Sequence, residues 1–173
     1  MAPSEPDTNN PDFKPLLQGR FASRLDFQQL VRDALACAAR EGWHEIILSD
    51  ADFHDWPLGE RTVAGSLNDW SASGRRCILL ARRYDEVVRR HARFVTWRQT
   101  WSHIIEAYAC PSADELELPS GIWSPGWVMQ RLDPPRCVGV CGSEPQRRVL
   151  AREALNHWLA KSSPSFAATT LGL

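Results

Sequence analysis

The chain contains 173 residues, of which 43% are apolar and 24% are charged, and its formal net charge at pH 7 is -1. This length predicts a single core, because most domains contain roughly 100–200 residues. The near-zero charge excludes a general attraction to nucleic acid or to an anionic membrane surface, so either kind of binding would require a local cluster of basic residues.

The amino-terminal segment differs in composition from the rest of the chain. Its first 20 residues carry four prolines among asparagine, aspartate and serine, and they cannot bury enough apolar surface to offset the entropy of ordering. We therefore predict a disordered tail over residues 1–20 and a single α/β domain over residues 21–173. The first helix of that domain has Asp26 as its expected N-cap and Gly42 as its stop.

The remaining elements are predicted from the period of their apolar residues. The pattern predicts helices over 26–41, 60–73, 84–103 and 145–161, and strands over 43–49, 77–81, 104–110, 122–132 and 137–141. Alternation of helices with short apolar strands is typical of a parallel sheet with helices on both faces. Because no helix separates the last two strands, we expect a mixed, mostly parallel sheet.

Cysteine usage and hydropathy indicate a cytoplasmic protein. The five cysteines are an odd number, and most lie in apolar runs, as free core thiols do in a reducing compartment. Cys137 and Cys141 resemble a metal pair, but four residues along a strand separate them by about 13 Å, too far for one ion. No run approaches the roughly 18 apolar residues of a membrane span. We expect no metal, no cofactor and no membrane contact.

Acidic groups are concentrated in the segment EIILSDADFHDWPLGE, directly after an apolar strand, where open α/β sheets place ligands. Asp50 and Asp52 resemble the Asp-x-Asp of haloacid dehalogenase-like phosphatases, and His54 is the best-placed general base. One hypothesis is therefore a metal-assisted phosphoesterase that uses these three residues, with Asp55 and Glu60 available to a cation. Against it, no lysine stands where such a phosphatase needs one, and a solvated turn explains the same residues.

Basic groups are concentrated on the helix predicted over 84–103. The arginines are Arg82, Arg83, Arg89, Arg90, Arg93 and Arg98, and the nearby aromatic residues are Trp97 and Trp101. Basic grooves with aromatic side chains bind nucleic acid, which would make Arg89 and Arg93 contact residues. Because Asp85 and Glu86 lie among the arginines, a solvated face with internal ion pairs, or a partner-protein surface, is the favoured interpretation.

Eight tryptophans in 173 residues is a high number. Three of them, Trp56, Trp123 and Trp127, fall in predicted loops or in the interrupted strand over 122–132. Large amphipathic rings in such segments are typical of interfaces. We therefore predict that these three residues, together with Asp55, Glu60, Arg89 and Arg93, contribute to a ligand or partner surface.

From about residue 26 to the carboxyl terminus, the order of elements resembles a group of uncharacterised phospholipase D-like domains in bacterial proteins, some fused to acetyltransferase domains. The segments that carry the resemblance are IILSDADF, ILLARRYDEVVRRHARFVTW and the closing helix. The resemblance implies a phospholipase D-like α/β fold and a homodimer.

Catalytic members of the phospholipase D superfamily carry a His-x-Lys motif. Neither Lys14 nor Lys161 follows a histidine by two positions, so the motif is absent from the chain. The leading hypothesis is therefore a non-catalytic binding domain of unidentified ligand, forming a homodimer that buries Trp123 or Trp127. We do not expect nucleic acid to be its partner.

Overall fold

The computed structural model describes residues 15–168, and the statements below concern this part of the chain. It contains α1 (Arg24–Glu41), α2 (Arg61–Trp70), α3 (Asp85–Arg90), α4 (Ala92–Thr100) and α5 (Pro145–Leu159). Its strands are β1 (Gly19–Phe21), β2 (Glu45–Ser49), β3 (Arg76–Ala81), β4 (Ile105–Ala109), β5 (Gly121–Trp123), β6 (Val128–Asp133), β7 (Val138–Gly142) and β8 (Ser163–Pro164). Most of the predicted tail, residues 1–14, lies outside the described residues, and β1 begins at Gly19.

The eight described strands form one mixed sheet in the order β1-β7-β6-β5-β2-β3-β4-β8. Only the β2–β3 and β3–β4 pairs are parallel, and the other five pairs are antiparallel. The prediction of a mixed sheet is confirmed, but the expectation that it is mostly parallel is wrong. The strands from β5 to β7 follow one another without a crossover helix, and short connections of this kind join antiparallel neighbours.

Helices lie on both faces of the sheet, as predicted. Along β2, Ile46 and Leu48 belong to the larger core, which also contains apolar side chains of α1 to α4. Ile47 belongs to the smaller core, which contains Leu155 of α5. This alternation is the period of a strand buried on both faces. Within residues 15–168, no helix combines the length and the apolar character needed to cross a membrane.

Of the two predicted ends of α1, the structure confirms one and corrects the other. The helix ends at Gly42, whose backbone φ of 70° is left-handed, as predicted. Its N-cap is Ser23 rather than Asp26, because the Ser23 hydroxyl accepts the backbone N–H of Asp26 at 3.1 Å. The true cap lies three residues before the predicted one.

The helix predicted over 84–103 is divided in two at His91. This residue has φ -124° and ψ 59°, outside the helical region. Its Nε2 lies 2.8 Å from the carbonyl oxygen of Phe53, in the turn after β2. A buried hydrogen bond to a distant segment thus accompanies the break in an otherwise continuous helical pattern.

We expect Gly121→Ala to lower the free energy of unfolding by about 1–3 kcal/mol, as overpacking does. The added Cβ would overlap the backbone carbonyl of Met129, on the adjacent strand β6. Gly126→Ala is the matched control, because no atom lies within 4 Å of the Cβ that it would add. Urea denaturation measures both variants, and equal midpoints would contradict the expectation.

Candidate functional site

A buried ion-pair cluster lies at the carboxyl end of β2. Arg131, on β6, donates from Nη1 to Asp55 Oδ2 at 2.6 Å and from Nη2 to Asp50 Oδ1 at 2.8 Å. Nη2 also donates to Asp55 Oδ1 at 3.1 Å, which makes the contact with Asp55 bidentate. Arg131 is 4% exposed and Asp50 is 2% exposed. We call Asp50, Asp55 and Arg131 the buried cluster.

Asp50 is held by the backbone as well as by charge. Its Oδ2 accepts the N–H groups of Phe53 at 2.8 Å and of Asp52 at 3.2 Å, which forms the turn after β2. Its Oδ1 accepts the Ser120 hydroxyl at 2.6 Å. Both carboxylate oxygens of Asp50 are therefore engaged by donors of the protein itself.

The guanidinium of Arg131 is enclosed on its remaining sides. The Phe27 ring centroid lies 4.1 Å from Arg131 Cζ, within the range of a cation–π contact. Nη1 also lies 3.4 Å from Cys137 Sγ. Cys137 has a left-handed φ of 53°, which is uncommon for a residue with a side chain.

The ion pairs of the buried cluster shift the pKa values of Asp55 and Arg131. Burial raises the pKa of Asp55, but the hydrogen bonds and the charge of Arg131 outweigh burial and hold this pKa below its ordinary value. Burial lowers the pKa of Arg131, but the two carboxylates outweigh it and hold this pKa above its ordinary value. Asp55 and Arg131 are therefore both charged at neutral pH.

A cleft of about 280 Å³ opens beside the buried cluster. Four residues of the predicted acidic site, Asp50, Asp52, His54 and Asp55, line it together with Arg24, Ala51, Glu115, Leu116, Arg131, Pro134 and Pro135. The structure therefore brings the predicted residues to one cleft. It also introduces Arg131 among them, which the sequence analysis did not include.

Asp52 and His54 pair with each other rather than with Asp50. Asp52 Oδ1 lies 2.7 Å from His54 Nδ1 and accepts the His54 backbone N–H at 3.0 Å. Both side chains are partly exposed. No group of three metal-ligating side chains within residues 15–168 is arranged to hold an ion.

The residues predicted to form a partner surface are dispersed, and three of them, Asp55, Trp56 and Trp127, are buried. Trp56 lies in the larger core, next to Phe27 and Phe53. Trp127 is 3% exposed, and its Nε1 donates to the Leu17 carbonyl at 3.0 Å. The expectation that these rings are available to a partner is corrected, since the loops that carry them fold inward.

Trp123 and Glu60 are partly exposed and already have partners. Trp123 donates from Nε1 to the Arg148 carbonyl at 2.9 Å, and Arg152 lies over its ring at 4.7 Å. Glu60 accepts two hydrogen bonds of 2.7 Å from Arg32. These hydrogen bonds lower the pKa of Glu60 below its ordinary value.

A second cleft, of about 660 Å³, lies at the carboxyl ends of β3 and β4. We call it the arginine cleft. Its charged lining residues are Arg82, Arg83, Arg89 and Asp85, and its apolar and polar walls come from Tyr84, Val88, Val95, Gln99, Ala109, Pro111 and residues 165–167. The lining therefore contains three cationic side chains and one anionic side chain.

The arginines of this cleft differ in their partners. Arg82 lies 3.8 Å from Glu115, and Arg89 lies 3.3 Å from Glu86. Arg83 is exposed. Arg93, predicted as a contact residue, lies outside the cleft lining and donates to the Gly59 carbonyl at 2.8 Å.

Sequence reasoning missed Arg131, although a signal for it exists. In the strand VMQRLD, Met129 and Arg131 are two residues apart and so face the same side of the sheet. Met129 belongs to the larger core. An arginine on the core face of a strand indicates a buried ion pair, because charges are rarely buried without a partner.

We expect Arg131→Met to lower the free energy of unfolding by about 3–5 kcal/mol, because it leaves two buried carboxylates without their cation. Arg136→Met is the matched control, since the Arg136 side chain is 82% exposed and its contact with Asp133 is long, at 3.9 Å. Urea denaturation at pH 7 measures both. An Arg131→Met midpoint equal to that of the control would show that the cluster does not stabilise the fold.

The same pair of variants should differ in pH dependence. In the wild type the pKa of Asp55 is depressed, so its contribution to stability is present at neutral pH and is lost only as the pH falls through that depressed value. In Arg131→Met, burial without a cation raises the pKa of Asp55. We therefore expect the free energy of unfolding of this variant to fall as the pH rises from about 4 to about 7. The same dependence of this free energy on pH in the wild type and in Arg131→Met would contradict the expectation.

We expect millimolar magnesium or manganese to leave the melting temperature unchanged, because Arg131 neutralises the carboxylates that would bind the ion. Calorimetric scans with and without the metal measure this, since an ion bound to the native state raises the midpoint. A rise in the wild type that Asp52→Asn abolishes would restore the metal-site hypothesis.

Comparison with known proteins gives a structural likeness and no sequence relative. No protein-family model matches the chain, and no curated protein matches its sequence. A solved structure that resembles it is described as "Structure of TrmBL2, an archaeal chromatin protein, shows a novel mode of DNA binding". The TM-score is 0.64 at 14% identity, and the match covers 90% of this chain and 56% of the TrmBL2 chain.

This likeness shows the fold alone. The chain spans little more than half the length of TrmBL2. The assignment to a bacterial phospholipase D-like family is wrong, because the structural neighbour is an archaeal chromatin protein and no family model supports the assignment. What the comparison establishes is an α/β fold shared with part of a chromatin protein.

Proposed function

We propose that this protein is a non-catalytic domain that binds the phosphate backbone of nucleic acid through the arginine cleft. The observation that carries the proposal is the position of Arg82, Arg83 and Arg89 around one cleft at the carboxyl ends of β3 and β4. Arginine is suited to phosphate because its guanidinium donates two parallel hydrogen bonds.

The cations of this cleft retain capacity for a ligand. Within residues 15–168, Arg83 forms no ion pair or hydrogen bond, and the Nε of Arg82 is buried without a hydrogen-bond partner. The Arg82–Glu115 contact of 3.8 Å is longer than a charge-assisted hydrogen bond. A phosphate in the cleft would give these donors an acceptor.

The structural neighbour supports nucleic acid as the class of partner. TrmBL2 is described as a chromatin protein that binds DNA, and it shares this fold. The expectation that nucleic acid is not a partner is therefore replaced by the alternative interpretation of the arginines over 82–98. The net charge of -1 still argues for weak binding from a local patch.

A binding role is also supported by the state of the acidic residues. In the buried cluster, Asp50 and Asp55 are neutralised by Arg131, and Asp50 also closes the turn after β2. A nucleophile or a metal ligand needs a carboxylate that is free to react or coordinate. These carboxylates instead stabilise the fold, which favours binding over catalysis.

A homodimer, expected from the sequence, is not required by this proposal. Trp127, one of the two expected interface residues, is in the core. The homodimer therefore stays a prediction.

We expect fluorescein-labelled 20-mer DNA, single-stranded or duplex, to bind with Kd on the order of 10⁻⁴–10⁻⁶ M, as non-specific binding does, and to weaken steeply with salt. The double substitution of Arg83→Ala with Arg89→Ala should reduce the slope of log K against log salt by about one unit for each lost phosphate contact. Fluorescence anisotropy between about 25 and 200 mM chloride measures the slope.

The control for this experiment is Arg136→Ala, which removes one exposed arginine that does not line the arginine cleft. It should leave the slope close to that of the wild type. Absence of binding at low salt, or an equal slope in the wild type and the double variant, would reject the proposal.

A further inference from the structure

Arg98, on α4, is a buried cation with few partners. Its residue is 8% exposed. Its Nε donates to the Phe166 carbonyl at 3.1 Å, and its Cζ lies 6.0 Å from the Phe166 ring centroid. Its Nη1 is buried without a hydrogen-bond partner among the described residues.

No carboxylate of the described chain pairs with this guanidinium. None of the ion pairs within residues 15–168 includes Arg98. Glu106 lines the same cleft, but its Oε2 accepts Arg76 Nε at 2.8 Å, and its Oε1 accepts the Tyr108 hydroxyl at 3.2 Å. The acid that lines this cleft thus accepts hydrogen bonds from other donors.

The remaining titratable neighbours of Arg98 do not compensate its charge. Tyr84 and Cys77 are the groups that interact with it electrostatically. Burial raises the pKa of both, so they are neutral at pH 7. Burial also lowers the pKa of Arg98 below its ordinary value, as desolvation of an unpaired cation does.

A buried arginine without a counter-ion is unfavourable, since buried charges in folded proteins are ordinarily paired. The cleft beside Arg98 has a volume of about 430 Å³. Its lining residues are Arg98, Glu106, Ala107, Tyr108, Pro164, Ser165, Ala167 and Ala168. The space and the unpaired donor therefore occur at the same place.

We propose that this cleft binds a small oxyanion, a phosphate or a carboxylate group, with Arg98 as its anchor. The anion would accept from the Arg98 guanidinium and neutralise its charge. Ser165 lines the same cleft, and a serine hydroxyl can donate a further hydrogen bond.

This site is distinct from the arginine cleft. The arginine cleft is lined by Arg82, Arg83 and Arg89, whereas Arg98 lines only the cleft of about 430 Å³. The two clefts share Ser165 and Ala167 of the segment that follows β8. The inference goes beyond the proposed function, because it rests on the unpaired charge of Arg98 and not on nucleic-acid binding.

The test is a thermal titration with inorganic phosphate at constant ionic strength, maintained with chloride. We expect the wild-type melting temperature to rise in a saturable manner, by about 3 °C when phosphate exceeds its Kd tenfold. Arg98→Met should abolish the rise. Arg93→Met is the matched control on the same helix, and it should retain the rise because Arg93 does not line this cleft.

A parallel titration with acetate separates carboxylate from phosphate as the bound group, and either saturable rise supports the site. Phosphate also stabilises proteins non-specifically, so a rise that is equal in the wild type and Arg98→Met would overturn the proposal. No saturable rise with either anion would also overturn it. If Arg98→Met does not fold, isothermal titration of Arg98→Lys replaces it, and affinity equal to the wild type would reject a bidentate guanidinium anchor.

Nucleic-acid binding at the arginine cleft and oxyanion binding at Arg98 can be tested independently. Loss of DNA binding in the Arg83→Ala and Arg89→Ala variant should leave the phosphate-dependent rise intact. Arg98→Met should in turn bind DNA with the salt slope of the wild type. A phosphate effect that disappears with the Arg83 and Arg89 substitutions would place the anion in the arginine cleft and reject the Arg98 site.

Discussion

The ion pairs of Arg131 with Asp50 and Asp55 are the contacts on which the rest of the fold depends. Arg131 belongs to the antiparallel part of the sheet, whereas both aspartates follow β2, which begins the parallel part. If Arg131 is removed, two carboxylates are left buried without their cation, and that cost exceeds the net contribution of the pairs themselves. The buried cluster therefore makes the position of the turn over residues 50–55 depend on β6.

Local chemistry predicted most of the elements, and long-range contacts explain the differences. The end of α1 at Gly42 follows from backbone sterics, and the strands follow from short apolar runs. By contrast, the break at His91 and the buried position of Trp127 depend on the carbonyls of Phe53 and Leu17, which are distant in sequence. The candidate acidic residues Asp50, Asp52, His54 and Asp55 line one cleft. Two of them pair with Arg131, and no local sequence pattern specifies this long-range pairing.

The buried hydrogen-bond acceptors and donors of the described residues differ in whether they have partners. The buried carboxylates are fully engaged by donors of the protein. Three buried side-chain nitrogens within residues 15–168 lack a hydrogen-bond partner, and two of them belong to Arg82 and Arg98. The molecule therefore has an excess of donors rather than of acceptors in its interior. Ligands that supply oxygen acceptors and negative charge match this excess.

The hydrogen bond between His91 and the Phe53 carbonyl has a mechanical consequence. It joins the turn that carries Asp52 and His54 to the junction of α3 and α4, directly beside the helices that line the two arginine-containing clefts. The positions of the turn over residues 50–55 and of the junction of α3 and α4 are thus coupled through a single buried hydrogen bond, so that neither segment can shift far without breaking it.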